Sequence, residues 1–176
     1  EKMDAGKIFL QKGLNIEEND NYYTLSEKLV RLGCEMLKTC LEKILDNNIL
    51  GYEQIGEPSY APEINKSMGI IDWSKSSKEI HNLVRGLIHW PKAVSKLKIK
   101  DSIIMIKLLD TEVLEQRCEL PYACGSIVKI SSDGLIVKCG QGTLLKITTI
   151  QPENKRVMKI REFLCGHKIV VGEKFF

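Results

Sequence analysis

The sequence predicts an α+β chain: a helix-led first stretch, a loose linker, and a larger second stretch of short strands with flanking helices. Three observations carry this. Apolar residues recur with a 3.6-residue period over 25–44 and again over 80–87. From Ser102 onward the pattern changes to period two in short β-branched runs. Between the helical stretches, residues 51–70 carry Gly51, Gly56, Pro58, Pro62 and Gly69 and little periodicity of either kind.

Taken in order, Met3-Asp4-Ala5-Gly6 reads as a turn and Ile8-Phe9-Leu10 as a short strand. Thr24 is the expected N-cap of the first helix, with Glu27 three residues on. Leu25, Leu29, Leu32, Met36, Cys40 and Ile44 form its expected buried stripe, and Asp46-Asn47-Asn48 ends it. One strand and one helix close no core, so this unit calls for a sheet to pack on. The second helix has a stronger start: Ser76 and Glu79 have capping-box spacing. Ile80, Leu83, Val84 and Leu87 then fall on one stripe, with Lys78, His81, Asn82 and Arg85 off it, and Trp90-Pro91 closes the segment. Asp72-Trp73 reads as an architectural anchor, since Trp buries a large apolar area and Asp72 or Ser74 can cap the adjoining turn. Expected strands span 102–109, 125–130, 135–139 and 143–150. Ser131-Ser132-Asp133-Gly134 is a hairpin turn whose Asp-Gly supplies a positive φ. A short helix over 157–165, stopped by Gly166, and a closing strand over 169–171 complete a small barrel or sandwich.

Composition narrows the function classes. No apolar run approaches the roughly 20 residues of a membrane helix, and the start has no basic-then-apolar secretory pattern. The six cysteines contain no Cys-x-x-Cys pair and fit no zinc spacing, so they read as reduced cytosolic thiols. His81, His89 and His167 lack metal-ligand partners at helical spacing, and no metal is expected. The net charge of +3 conceals an asymmetry: residues 1–72 hold 8 Lys/Arg against 13 Asp/Glu (−5), and residues 73–176 hold 18 against 10 (+8). A basic second stretch points to a polyanionic partner.

Ile71-Asp72-Trp73, the Ile80-His81-Asn82 helix with Arg85-Gly86, and Trp90-Pro91 resemble the segment that opens the C-terminal domain of methionyl-tRNA formyltransferases. Asp4-Ala5-Gly6-Lys7-Ile8 resembles the Asp-x-Gly-x-Ile/Met segment of formyltransferases that use 10-formyltetrahydrofolate. Ser59-Tyr60-Ala61 with Ile64 and Lys66 resembles the family's linker. Gly125-Ser126-Ile127, Asp133-Gly134, Gly142-Thr143-Leu144 and Ile150-Gln151-Pro152 resemble its successive C-terminal strands and turns, and Phe163-Leu164, Gly166 and Gly172 its closing pattern. Lys92 and Asn154 stand where the family carries Gly; Cys124, and His89 before Trp90, stand where it carries Pro. These departures bear on local turns, not on the fold.

The resemblance implies a strand–helix remnant of a Rossmann-like catalytic domain over 1–50, a linker over 51–70, and an OB-like barrel with flanking helices over 71–176 that contacts initiator methionyl-tRNA. It implies that Asp4 belongs to an Asn/His/Asp catalytic set whose other members, with the folate-associated loop, precede this sequence. The chain is thus expected to be a fragment, inactive alone, of a cytoplasmic and monomeric enzyme that moves a formyl group from 10-formyltetrahydrofolate. The basic residues expected at the tRNA are Lys66, Lys75, Lys78, Arg85, Lys92, Lys96, Lys98, Lys155 and Arg156, as phosphate contacts that position without reading bases. Two alternatives stand beside this reading: a small-molecule formyltransferase or formyltetrahydrofolate hydrolase, and a stand-alone tRNA- or RNA-binding module without catalysis.

Overall fold

Asn21, not Thr24, starts the first helix in the computed structural model, which describes residues 3–100 and 102–176. Helix α1 runs Tyr22–Leu45. The Asn21 side chain accepts from the N–H groups of Tyr23 and Thr24, and Thr24 Oγ1 accepts from the Asn21 N–H at 2.9 Å. Thr24 is therefore the third residue of a capping box and not its cap. Beside it, the buried Asp20 carboxylate takes Lys28 Nζ at 2.7 and 2.8 Å and the Glu17 N–H at 2.8 Å. The Lys28 ammonium, then the Glu17 N–H, hold this carboxyl below the usual range.

The expected burial of the α1 stripe is not found. No residue of the helix is fully buried: Leu25, Leu32, Met36 and Cys40 are half-buried, while Leu29 and Ile44 are exposed. The strand expected at 8–10 reduces to one antiparallel bridge, Ile8 with Tyr52, bonded in both directions at 2.9 and 3.0 Å. These features belong to the first of two units, Glu1–Glu63; the second is Ile64–Phe176.

The stretch read as linker ends in order. A 3-10 turn, Lys66–Gly69, is capped by the Asn65 side chain, and the Ile71 N–H then donates to Val94 O at 2.9 Å. Gly69 is required there, because a Cβ would lie 2.3 Å from the Lys92 carbonyl oxygen. Asp72 Oδ1 accepts from the N–H and hydroxyl of Ser74, fixing the turn that leads to helix α2, Ser77–Gly86. The predicted capping box is present: Ser76 Oγ takes the Glu79 N–H, and Glu79 Oε2 takes the Ser76 N–H at 2.9 Å. Ile80 and Val84 are buried in the core as the period requires, with Leu83 packed at its edge. The Ser77 N–H donates to Thr143 Oγ1 at 2.8 Å, which ties the helix to the sheet.

Seven strands come next among the described residues: β1 Ala93–Ile99, β2 Ser102–Arg117, β3 Ile127–Ser131, β4 Gly134–Lys138, β5 Thr143–Pro152, β6 Met158–Lys159 and β7 Lys174–Phe175. Helix α3, Ile160–Gly166, lies between the last two. All pairings are antiparallel, in the order β3-β4-β5-β2-β1-β7, with β6 on β5. The sheet curls until its ends meet. Ser126 bridges Lys174, the Ile127 N–H donates to Glu173 O, and the Phe175 N–H donates to Gly125 O, the latter two bonds at 2.8 Å. A sheet whose end strands bond each other leaves few bare edges.

Several boundaries differ from expectation. β1 falls in a stretch whose pattern predicts no strand. β2 continues to Arg117, well past 109, because its register with β5 breaks and resumes around Asp110. The polar tail 110–117 hides this strand, its side chains being largely exposed. Residues 158–159 join the sheet, so the last helix starts at Ile160, and the closing strand is Lys174–Phe175 and not 169–171. In the β3–β4 hairpin Ser131 pairs Gly134, yet neither Asp133 nor Gly134 has a positive φ. Ser131 Oγ instead bonds Asp133 Oδ1 and Gly134 O, at 2.8 and 2.9 Å. Gly134 serves close approach, since a Cβ would meet Lys146 Cγ at 2.8 Å and Ile147 O at 3.1 Å.

The core sits inside the curl. Leu97, Ile106, Leu108, Ile127, Leu135, Leu145 and Ile147 are fully buried, with Ile80 and Val84 of α2 and Phe163 of α3 as lids. Trp73 is the anchor its sequence suggested: its ring lies 5.3 Å from that of Phe175, and its Nε1–H donates to Ser95 Oγ at 2.9 Å. Ser95 Oγ donates onward to Phe176 O, so one buried hydroxyl satisfies the indole and fastens the end of β7.

Candidate nucleic-acid interface

Strand alternation decides which basic residues share a surface. Ala93, Ser95 and Leu97 of β1 point inward, so Lys96 and Lys98 project outward. Pairing extends this outer face. Lys98 is opposite Lys174 of β7, Lys96 is opposite Met105 of β2, and Val94 is opposite Lys107. Lys96 also exchanges backbone bonds with Phe176, both at 2.9 Å. The register thus joins Lys107 and Lys174 to Lys96 and Lys98. Neither was singled out by the sequence, which does not show residues facing each other across three strands. None of the four lysine ammonium groups has an ion-pair or side-chain hydrogen-bond partner among the described residues.

Lys146 shows the opposite arrangement. Its ammonium sits 2.7 Å from Asp133 and 3.3 Å from Glu112, and Asp133, the closer carboxylate, raises its pKa. Such a lysine is committed to the fold. Arg156 Nη2 lies 2.7 Å from Glu162 Oε2 in an exposed pair, and Arg85 Nε donates to Asn82 Oδ1 at 2.8 Å. Lys75 and Lys78 are exposed on either side of the α2 cap, and Lys66 is exposed in the 3-10 turn. Lys155 is exposed in the turn after β5, and its carbonyl accepts from Gln151 Nε2. Lys92 is half-buried with φ 73°, and Asn154 has φ 58°. Both positions keep the left-handed backbone that suits glycine, without the glycine. Cys124-Gly125 likewise form the centre of a turn closed by the Ser126 N–H on Ala123 O, with Gly125 at φ 88°.

Asp4 lies in an exposed turn of the first unit with φ 57°, its carbonyl accepting from Gln54 Nε2 at 2.9 Å. The chain's three histidines are all in the second unit, so the first brings no imidazole to this carboxylate. His81 Nδ1 faces Thr111 Oγ1 at 2.9 Å, and His167 Nδ1 faces Phe163 O at 3.2 Å, both as structural contacts. No metal-holding cluster of His, Cys, Asp or Glu occurs among the described residues. Burial pushes the Cys139 thiol up to about 12, which leaves it an inert core residue. Among the described residues no helix is long and apolar enough to cross a membrane.

Known proteins resemble this chain in sequence and fold. Residues 63–168 match the family described as formyl transferase, C-terminal domain. The chain is 42% identical over its whole length to a methionyl-tRNA formyltransferase of Thermodesulfovibrio yellowstonii, covering 54% of that protein. It is 41% identical over 97% of its length to one from Caldanaerobacter subterraneus, covering 53%. The chain therefore spans about half the length of the curated relatives it matches, and that half is the C-terminal one. Among solved structures, WlaRD, a sugar 3N-formyl transferase studied with dTDP and 5-N-formyl-THF, superposes with a TM-score of 0.61 at 22% identity. That match covers 88% of this chain and 52% of the other. HypX from Aquifex aeolicus, in complex with tetrahydrofolic acid, gives 0.59 at 17% identity over the whole chain and 32% of its own. At those identities the likeness speaks for fold alone. The profile match over most of the chain shows the family: this chain belongs to the formyl transferases, with residues 63–168 as their C-terminal domain.

Proposed function

We propose that this chain is the C-terminal part of a cytoplasmic, monomeric methionyl-tRNA formyltransferase, which transfers a formyl group from 10-formyltetrahydrofolate to the α-amine of methionyl initiator tRNA. The observation that carries this is the 42% identity, held over all of the chain, to a protein of that name. Residues 71–176 act as an OB-like tRNA-binding domain, 1–50 as the end of the catalytic domain, and 51–70 as the linker. Supporting this division, the two compact units meet at Glu63/Ile64, inside that linker. The curled antiparallel sheet supports the OB-like reading, because such barrels commonly track nucleic-acid backbones.

The chemistry assigns this chain a limited share. As the amine attacks the formyl carbon, its nitrogen must lose a proton while negative charge grows on the formyl oxygen. Asp4 is the one carboxylate that the motif brings to this step. A carboxylate beside a histidine holds the imidazole in place and favours its cation. That histidine is not in the first unit, so the chain alone is expected to be inactive, and in the parent enzyme Asp4→Asn is expected to lower kcat by several orders of magnitude.

The sharper test concerns the partner. Fluorescence anisotropy of labelled tRNA titrated with the 176-residue chain is expected to show weak binding. Its log K should fall linearly with log salt. Binding absent at low salt, or indifferent to salt, would favour the small-molecule formyltransferase reading, whose fold neighbour is the sugar enzyme.

A further inference from the structure

We propose that the outer face of β7, β1 and β2 is the surface on which this chain holds an RNA backbone, with Lys174, Lys98, Lys96 and Lys107 as its phosphate contacts. This rests on the tRNA reading above. It adds the surface itself and two lysines outside the sequence-derived set.

The energetics of the face favour a bound anion. Lys98 and Lys174 are directly opposite across β1 and β7. Like charges in that position destabilise a sheet, just as opposite charges stabilise it. Lys96 lies two residues from Lys98 on the same side, about 6.7 Å away along the strand, and Lys107 lies one strand over. A surface built only for stability would interleave carboxylates here, as the Asp133–Lys146–Glu112 cluster does elsewhere on the sheet. This one does not. Glu173, next to Lys174 in sequence, turns its Oε2 back to the Val170 N–H at 3.1 Å.

The residues between the lysines are apolar. Phe176 is 49% exposed and Ile103 59% exposed. Unpaired cations around an exposed aromatic ring combine backbone tracking with a platform on which a base or ribose can rest. Two scattered apolar residues are too little surface to enter a lipid interface, and the flexible lysine stems suit point contacts with phosphates better than a shaped protein partner. RNA is therefore the partner this face fits.

The test uses the 176-residue chain and labelled tRNA over about 50 to about 200 mM salt. The variant K96A/K98A/K107A/K174A is expected to weaken binding and to flatten the log K–log salt slope by about 3, since each neutralised phosphate contributes roughly 0.7–0.9. Its melting temperature should hold or rise, because a like-charge pair has gone. K98R/K174R should bind like the parent chain. K38A/K43A, which removes charge from α1, should leave the slope unchanged. Should the fourfold variant not fold, K96A/K98A and K107A/K174A are each expected to give about half the change. Parent binding with an unaltered slope in the fourfold variant would overturn this face while leaving the tRNA reading intact. An equal loss in K38A/K43A would overturn it as well. No binding by the parent chain at low salt would overturn both, as would four-lysine-dependent capture by phosphatidylserine vesicles in place of tRNA.

Discussion

The two main helices are built on the same local grammar and end in opposite situations. α1 and α2 each open with a complete capping box, Asn21 with Thr24 and Ser76 with Glu79, and each carries an apolar stripe at helical spacing. α1 has 24 residues and buries none of them; α2 has 10 and buries Ser77, Ile80 and Val84. Caps and periodicity specify that a helix forms and which face is apolar. They do not supply a cover for that face. α2 finds its cover in β2 and β5 of its own unit, whereas the described residues of the first unit offer α1 a single bridge, Ile8 to Tyr52, in place of a sheet. Under the proposed function, the cover for α1 is the preceding half of the enzyme.

This contrast can be broken by matched truncations. Ile80→Ala, at a position 1% exposed, should cost about 2–5 kcal/mol in denaturant unfolding of the second unit. Leu29→Ala, on the α1 stripe but 50% exposed, should stay within about 0.5 kcal/mol. Equal costs would mean that α1 has found a packing partner of its own, a second copy included. Hydrogen exchange gives the same comparison without mutation: fast in α1, slow in β4 and β5.

The caps should instead behave alike. Asn21→Ala and Ser76→Ala are each expected to lose about 1 kcal/mol of helix stability, because a cap acts on its own first turn whether or not the stripe is covered. Circular dichroism of the two variants checks this. The α1 end has an added pH dependence through Asp20. Its carboxyl, held low by Lys28, contributes fully above its ordinary value of about 4 and ceases to contribute as the pH falls through the lower folded value. Asp20→Asn should abolish that acid-limb change in helicity.

The smallest effect concerns Lys92. With φ 73° it occupies a left-handed position of the kind that suits glycine. Lys92→Gly should stabilise the second unit by about 0.5 kcal/mol, relief of side-chain strain slightly exceeding the entropy that glycine adds to the unfolded chain. A melting temperature lowered by the substitution would show that the Lys92 side chain contributes more through its contacts than the backbone loses.

How far the sequence could be read depends on the range of the interactions. The α2 cap, its stripe and the Trp73 anchor were legible, since each is specified within a few residues. The second half of β2 was not, because Asp110, Glu112 and Glu115 are strand residues only by virtue of β5 beside them. β7 is two residues long and owes its existence to β1 on one side and Ser126 on the other. The candidate site divides in the same way. Lys96 and Lys98 were named singly as basic residues, and it is the unforeseen β1 that puts them on one face; Lys107 and Lys174 join them only through pairing across strands. Arg156 stands as a lone cation in the sequence, and the structure sets Glu162, six residues on, beside it in an exposed pair.

β7 also sets an order of events. It comes after every other element along the chain, and its pairings with β1 and with the approach to β3 are what join the two ends of the sheet. A ribosome delivering this chain therefore hands over the other six strands of the sheet first, with both margins bare until the closing strand follows. During that interval Lys96 and Lys98 guard the margin of β1, since lysines on an open strand edge discourage pairing with strangers.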